Sequence, residues 1–181
     1  ATDFDPKIAL LPDGKVFIGG AFTMVNDLSR ERIARLNTDG SGDSSFTPAS
    51  GDADCLALQP DGKVLIAGYF RNVNGTDTRG IARLNANGSF DNSFNSTITV
   101  TNGDPFYLPV NSLALQPDGK VLIGGSFPNV NGTNLTSIAR LNADGSGDNS
   151  FTLGFRQLDP VSHPVYSLTL QPDGKVLVRS W

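Results

Sequence analysis

The stretch Leu56-Ala-Leu-Gln-Pro-Asp-Gly-Lys-Val-Leu-Ile66 decides how this chain is to be read. A short apolar run meets Pro60-Asp61-Gly62, and a second apolar run follows at once. Proline presets φ for the first central position of a turn, aspartate suits the next, and glycine accepts positive φ. A type I turn closed by a left-handed glycine joins two antiparallel strands. The second run, from Lys63 to Phe70, is apolar at successive positions, as expected of a strand covered on both faces.

Outward from this hairpin the same signals recur. Pro-Asp-Gly stands at Pro12, Pro60, Pro117 and Pro172, each time followed by Lys-Val, at spacings of 48 to 57 residues. Ile-Ala-Arg-Leu-Asn recurs at Ile33, Ile81 and Ile138, and Asp-x-Ser-Phe at Asp43, Asp91 and Asp148. Self-similarity at this period is the mark of a repeat architecture. Each unit predicts four short antiparallel strands. They are the two of the hairpin, a third at Ile81–Leu84 after a polar loop opened by Asn72-Val-Asn-Gly75, and a fourth carrying Ser93-Phe94. Four strands per unit is the size of a propeller blade. The expectation is therefore an all-β, β-propeller-type chain of about three and a half four-stranded blades. It forms a single domain over 1–181 with repeats near 5–52, 53–109, 110–164 and a partial one at 165–181. The small pairs Gly19-Gly20, Ala67-Gly68 and Gly124-Gly125 would let neighbouring sheets approach closely. A β-trefoil-like three-repeat fold is the alternative, but the fourth hairpin has no place in it. No helical period persists.

These motifs together resemble the delta-60 repeat family, itself similar to NHL-type bacterial propellers. The carrying residues are the hairpins at Leu56–Ile66 and Leu113–Ile123, the Ile-Ala-Arg-Leu-Asn runs and the Asp-x-Ser-Phe endings. The resemblance implies a propeller from a large secreted or surface-attached bacterial protein, and it implies no defined catalytic set. It departs at both ends, where Asp3-Phe4-Asp5-Pro6 is like a fourth strand and Arg179-Ser180-Trp181 replaces Gly-Ser-Phe. A homodimer in which a second chain completes the ring is one way to satisfy that inventory.

Composition narrows the function. A net charge of −4 and a pI near 4.8, with no basic run, argue against nucleic acid as a partner. No apolar stretch is long enough to span a bilayer as a helix, so membrane insertion is not expected. The first six residues show neither the basic head nor the apolar middle of a signal peptide. Cys55, the single cysteine, reads as a small buried hydrophobe.

Candidate sites should sit where the repeats differ. The connections from Phe94 to Leu113 and from Phe151 to Leu168 are longer than that from Phe46 to Leu56. They carry Asp104, Phe106, Tyr107, Arg156, Asp159, His163 and Tyr166. Rings beside acids and an arginine suit a glycan or protein ligand. The plainer reading is that these loops cover the mouth of the propeller and bind nothing. His163 near Asp159 lacks an evident nucleophile and reads as a solvent-exposed loop histidine. Arg35, Arg83 and Arg140 recur at one place and are expected to be structural, each pairing with an aspartate of a neighbouring repeat. Cofactors are not expected. Calcium on Asn37, Asp39, Ser41 and Asp43, or on Asn142, Asp144, Ser146 and Asp148, is a weaker alternative, because no bidentate glutamate closes the loop. The functional expectation is a non-enzymatic extracellular binding or adhesion module. The alternatives are an architectural segment of a large surface protein and, weakest, a propeller hydrolase.

Overall fold

The computed structural model of the chain describes residues 7–20, 22–47, 52–70, 72–99, 110–133, 137–151 and 164–180. The first repeat holds β1 (Lys7–Leu10), β2 (Val16–Gly19), β3 (Met24–Val25), β4 (Leu28–Ser29) and β5 (Ile33–Leu36). The second holds β6 (Asp52–Leu58), β7 (Val64–Tyr69), β8 (Asn72–Val73), β9 (Thr76–Asp77) and β10 (Ile81–Leu84), followed by β11 (Ile98–Thr99). The third holds β12 (Val110–Leu115), β13 (Val121–Gly125), β14 (Asn129–Val130) and β15 (Ile138–Leu141), and the last hairpin is β16 (Val165–Leu170) with β17 (Val176–Ser180).

The Pro-Asp-Gly hairpin forms as its chemistry dictates. Around Pro60 the Gln59 amide donates to the Lys63 carbonyl at 2.8 Å, the Gly62 amide donates to the Gln59 carbonyl at 3.0 Å, and Gly62 sits at φ 82°. The Asp61 carboxylate accepts the Lys63 amide at 3.1 Å, fixing the turn from its side chain. The same bonds recur at the other three turns, with Gly14, Gly119 and Gly174 at φ 81°, 82° and 82°.

Two expectations are corrected. The sheets are not four-stranded blades. Among the described residues the largest are three-stranded, in the orders β1-β2-β5, β6-β7-β10 and β12-β13-β15, the remainder are two-stranded, and none closes into a propeller or a trefoil barrel. The missing fourth strand is a turn. In Asp91-Asn-Ser-Phe94 the Phe94 amide donates to the Asp91 carbonyl at 3.2 Å, while the Asp91 carboxylate takes the Ser93 amide at 3.0 Å and the Ser93 hydroxyl at 2.6 Å. A side chain that captures its own backbone in this way competes with a ladder. Only single bridges remain before it, Leu36 with Gly42, Leu84 with Phe90 and Leu141 with Gly147. The polar loop, by contrast, is more regular than expected. Asn74 and Gly75 lie at φ 55° and 77°, and the two-residue turn they form joins β8 to β9.

The core is divided among layers. Val64 and Ile66 of β7 belong to a buried cluster with Phe17, Ile33 and Phe46 of the first repeat. Their neighbours Leu65 and Ala67 belong to a second cluster with Val110, Val121 and Ile123 of the third. A third cluster joins Leu122 and Ile138 to Val165 and Leu168 of the last hairpin. β7 and β13 thus each serve two cores, which is why their sequences are apolar at successive positions, whereas β2 contributes Phe17 to one. Close approach is enforced at Gly124, where a Cβ would lie 2.7 Å from Val165 and 2.9 Å from Leu168. At the outer face of the first sheet, Ile8 and Leu10 remain 68% and 70% exposed.

Candidate functional site

The recurring charged residues form one constellation three times over. Arg83, on β10, directs Nε to Asp91 Oδ2 at 2.7 Å, and Lys63 Nζ reaches the same oxygen at 2.8 Å. Arg83 Nη2 donates to the Ser93 hydroxyl at 3.0 Å, and the guanidinium lies 4.9 Å from the centre of the Phe94 ring. Lys15, Arg35 and Asp43 repeat the pattern over Phe46, and Lys120, Arg140 and Asp148 repeat it over Phe151. Each arginine therefore pairs with the aspartate of its own repeat, not with that of a neighbour as expected. What crosses to the next repeat is the remaining guanidinium nitrogen. Arg35 Nη1 donates to the Ala86 carbonyl, and Arg83 Nη1 donates to the Ala143 carbonyl at 2.7 Å.

Electrostatics follow from this geometry. Burial alone would raise the Asp43 and Asp91 carboxyls. The hydrogen bonds from Lys15, Ser45 and Arg35, and from Lys63, Ser93 and Arg83, outweigh it and hold both well below the usual carboxylate range. At Asp148 the bonds from Lys120 and Ser150 lead, with the same direction. Carboxylates committed in this way are poor proton acceptors. They also face cations, so Asp43 and Asp148 do not present themselves to calcium. Asp39 and Asp144 spend an oxygen on the amide and hydroxyl of Ser41 and Ser146.

Of the residues expected to bind ligand, Asp104, Phe106, Tyr107, Arg156, Asp159 and His163 lie outside the described residues. Tyr166 lies on β16 and is 41% exposed.

The structure instead offers a cleft of about 730 Å³ where the second and third repeats meet. Its walls are the end of the β8–β9 hairpin with Thr78, Asn92 and the segment 94–97, the turn at 131–133, and residues 146, 147 and 149. The volume lies within the ~300–1,000 Å³ usual for ligand sites. Asn131 braces it, donating through Nδ2 to the Gly145 carbonyl at 2.8 Å and accepting the Thr97 amide at Oδ1, also at 2.8 Å. The pairing of β11 with β14 and the bond from the Asn95 amide to the Asp144 carbonyl at 2.8 Å tie its two sides together.

Two features set the cleft apart from the rest of the repeat. Phe90 stands where the other repeats have Gly42 and Gly147. It packs partly on the core cluster beneath and also lines the cleft. Gly147 also lines the cleft, and a Cβ there would meet nothing within 4 Å. Ser96 is 6% exposed, and its hydroxyl oxygen is buried with no hydrogen-bond partner among the described residues. The Phe90 signal was present in the sequence, since aligning the repeats on Asp43, Asp91 and Asp148 puts a phenylalanine against two glycines. The cleft itself comes from two repeats meeting and has no linear trace.

The chain is thus an all-β repeat protein whose unit runs from the Pro-Asp-Gly turn to the phenylalanine under the arginine. Residues 11–46, 59–94 and 116–151 each match the family described as domain of unknown function (DUF5122) beta-propeller, and the chain belongs to that family. Each match ends on the stacked phenylalanine, so the family unit coincides with the lysine–arginine–aspartate constellation. No curated protein matches the chain.

Proposed function

We propose that this chain is a non-enzymatic binding module of an extracellular bacterial protein, and that its ligand docks in the cleft between the second and third repeats. The observation that carries the reading is Phe90, a large side chain lining that cleft where the equivalent positions are Gly42 and Gly147. A repeated feature serves the scaffold, whereas a departure that lines a cleft serves a ligand. The non-enzymatic reading draws support from the carboxylates of the repeat, each held ionised by lysine and arginine. The bacterial and extracellular setting rests on the delta-60 resemblance. Immobilised chain, probed with a glycan array and with bacterial and host extracts, should retain ligands that Phe90→Gly loses. Equal retention by the variant would place the ligand elsewhere.

A second reading is architectural, as a repeat segment that spaces or assembles a larger surface protein. Ile8 and Leu10, exposed on the outer face of the first sheet, favour it. Light scattering distinguishes the two. A mass that rises with concentration and falls on Leu10→Lys supports assembly, and a constant mass near 19.1 kDa counts against it.

A further inference from the structure

We infer that the ligand of this cleft is an uncharged saccharide, with one ring against Phe90 and a hydroxyl satisfying Ser96. The inference rests on the binding-module reading above and names the ligand class.

The lining chemistry selects for it. Apart from Phe90 and Phe94, the lining side chains are threonine, serine and asparagine, with Asp77 the one ionised group among the described lining residues. The Asp77 side chain is 78% exposed and lies 3.8 Å from Arg79, so it is a rim group. No lysine or arginine lines the cleft among those residues. A phosphate, sulfate or uronate would meet no lysine or arginine in that lining, and Arg79 at the rim is already engaged by Asp77. An apolar ligand would bury hydroxyls and carboxamides without compensation. A sugar hydroxyl donates and accepts at once, as do serine, threonine and asparagine side chains taken together. The apolar face of a pyranose matches the ring of Phe90. Repeats with glycine at that place offer no such surface.

Ser96 sharpens the assignment. A hydroxyl buried without a partner costs free energy in the folded protein. Such a cost is tolerated at a site where a ligand supplies the missing bond. Asn131, fixed by bonds to both of the repeats it spans, holds the walls at a set separation, so little ordering remains to be done on binding.

The test uses the full chain, isotopically labelled for amide NMR. It is titrated to about 10 mM with neutral trisaccharides built from glucose, galactose, mannose or N-acetylglucosamine, and with a trigalacturonate. At least one neutral sugar should shift amides within 76–78, 90–97, 131–133 and 146–149, and the uronate should not. Phe90→Gly should weaken binding by about tenfold or more. Ser96→Ala should weaken it about three- to tenfold while the melting temperature stays level or rises, because the variant removes an unsatisfied buried group. Should Phe90→Gly fail to fold, Gly147→Leu fills the open side of the cleft from a position where a Cβ meets nothing within 4 Å. It should likewise weaken binding by about tenfold or more.

Saccharide binding that Ser96→Ala leaves unchanged overturns the inference, as does equal binding of the uronate. If the sugars fail but a peptide or protein captured by the immobilised chain shifts the same amides, the binding-module reading stands and the saccharide assignment falls. If neither class moves those amides, both fall.

Discussion

Replacing Asp91 by asparagine removes one charge from the middle of the molecule and leaves two cations facing it. One oxygen of Asp91 accepts from Arg83 at 2.7 Å and Lys63 at 2.8 Å, and the other accepts from Ser93. Asparagine can keep its oxygen toward Ser93, but its amide nitrogen then points donors at donors. Lys63, with 29% of its side chain exposed, can turn to water. Arg83, with 9% exposed, cannot turn away, because it is tied to Ser93 and Ala143 and stacked on Phe94. Leaving one member of a buried pair uncompensated costs about 3–5 kcal/mol. The freedom of the lysine lowers that to about 2–4 kcal/mol. Urea unfolding followed by circular dichroism should show a midpoint shifted down by about 1–2 M with little change in slope. Asp77→Asn, at an exposed pair 3.8 Å apart, is the control and should move stability by less than about 0.5 kcal/mol. A loss below about 1 kcal/mol for Asp91→Asn would mean that the constellation behaves as a surface pair, and the energetic role given to it would be wrong.

Three further outcomes are expected. The carboxyls of Asp43, Asp91 and Asp148 are held below their unfolded value, so their stabilisation is complete above about pH 4 and is lost as pH falls further, because the unfolded chain takes up more protons there. Melting temperatures measured between pH 6 and pH 2 should drop steeply below about pH 4, and less steeply in Asp91→Asn. Gly145→Ala should cost at least about 1 kcal/mol more than Gly40→Ala. Both glycines have positive φ, 87° and 82°, but a Cβ at Gly145 would lie 2.9 Å from the Asn95 backbone, and one at Gly40 meets nothing within 4 Å. Equal costs in urea would show that the seam between repeats yields freely. Finally, Cys55 is buried with its sulfur 3.6 Å from the carbonyls of Ala67 and Val110, and burial pushes its thiol above the usual range. Iodoacetamide should label it only as fast as the protein unfolds, and rapid labelling of the native chain would contradict that burial.

The sequence was most informative where structure is local. The Pro-Asp-Gly hairpins depend on a few adjacent residues, and they form with the expected bonds. The doubly apolar second strand announced two covered faces, and β7 and β13 are buried accordingly. The fourth strand was misread because Asp-x-Ser can hydrogen-bond within itself, and that internal capture outcompetes a ladder. Lysine, arginine and aspartate were each visible as repeating residues. Their pairing within a repeat was not visible, since it depends on where the hairpins bring them. Phe90 shows a different limit. Its departure from glycine can be read from aligned repeats, but that it lines a cleft depends on the neighbouring repeat.

The alternation along β7, with Val64 and Ile66 in one cluster and Leu65 and Ala67 in the next, has a consequence for cooperativity. A layer that shares a strand with both neighbours cannot open without weakening each of them. Free energy then passes along the stack from nearest neighbour to nearest neighbour, as in a one-dimensional chain of coupled units. Opening begins in the layers with a single partner and travels inward. Amide hydrogen exchange should therefore be slowest in β7 and β13 and progressively faster toward β1 and β17, where Leu10 and Leu177 are 70% and 57% exposed. The cleft between the second and third repeats lies at the slow centre of that gradient, so its walls keep their spacing while the outer hairpins fray.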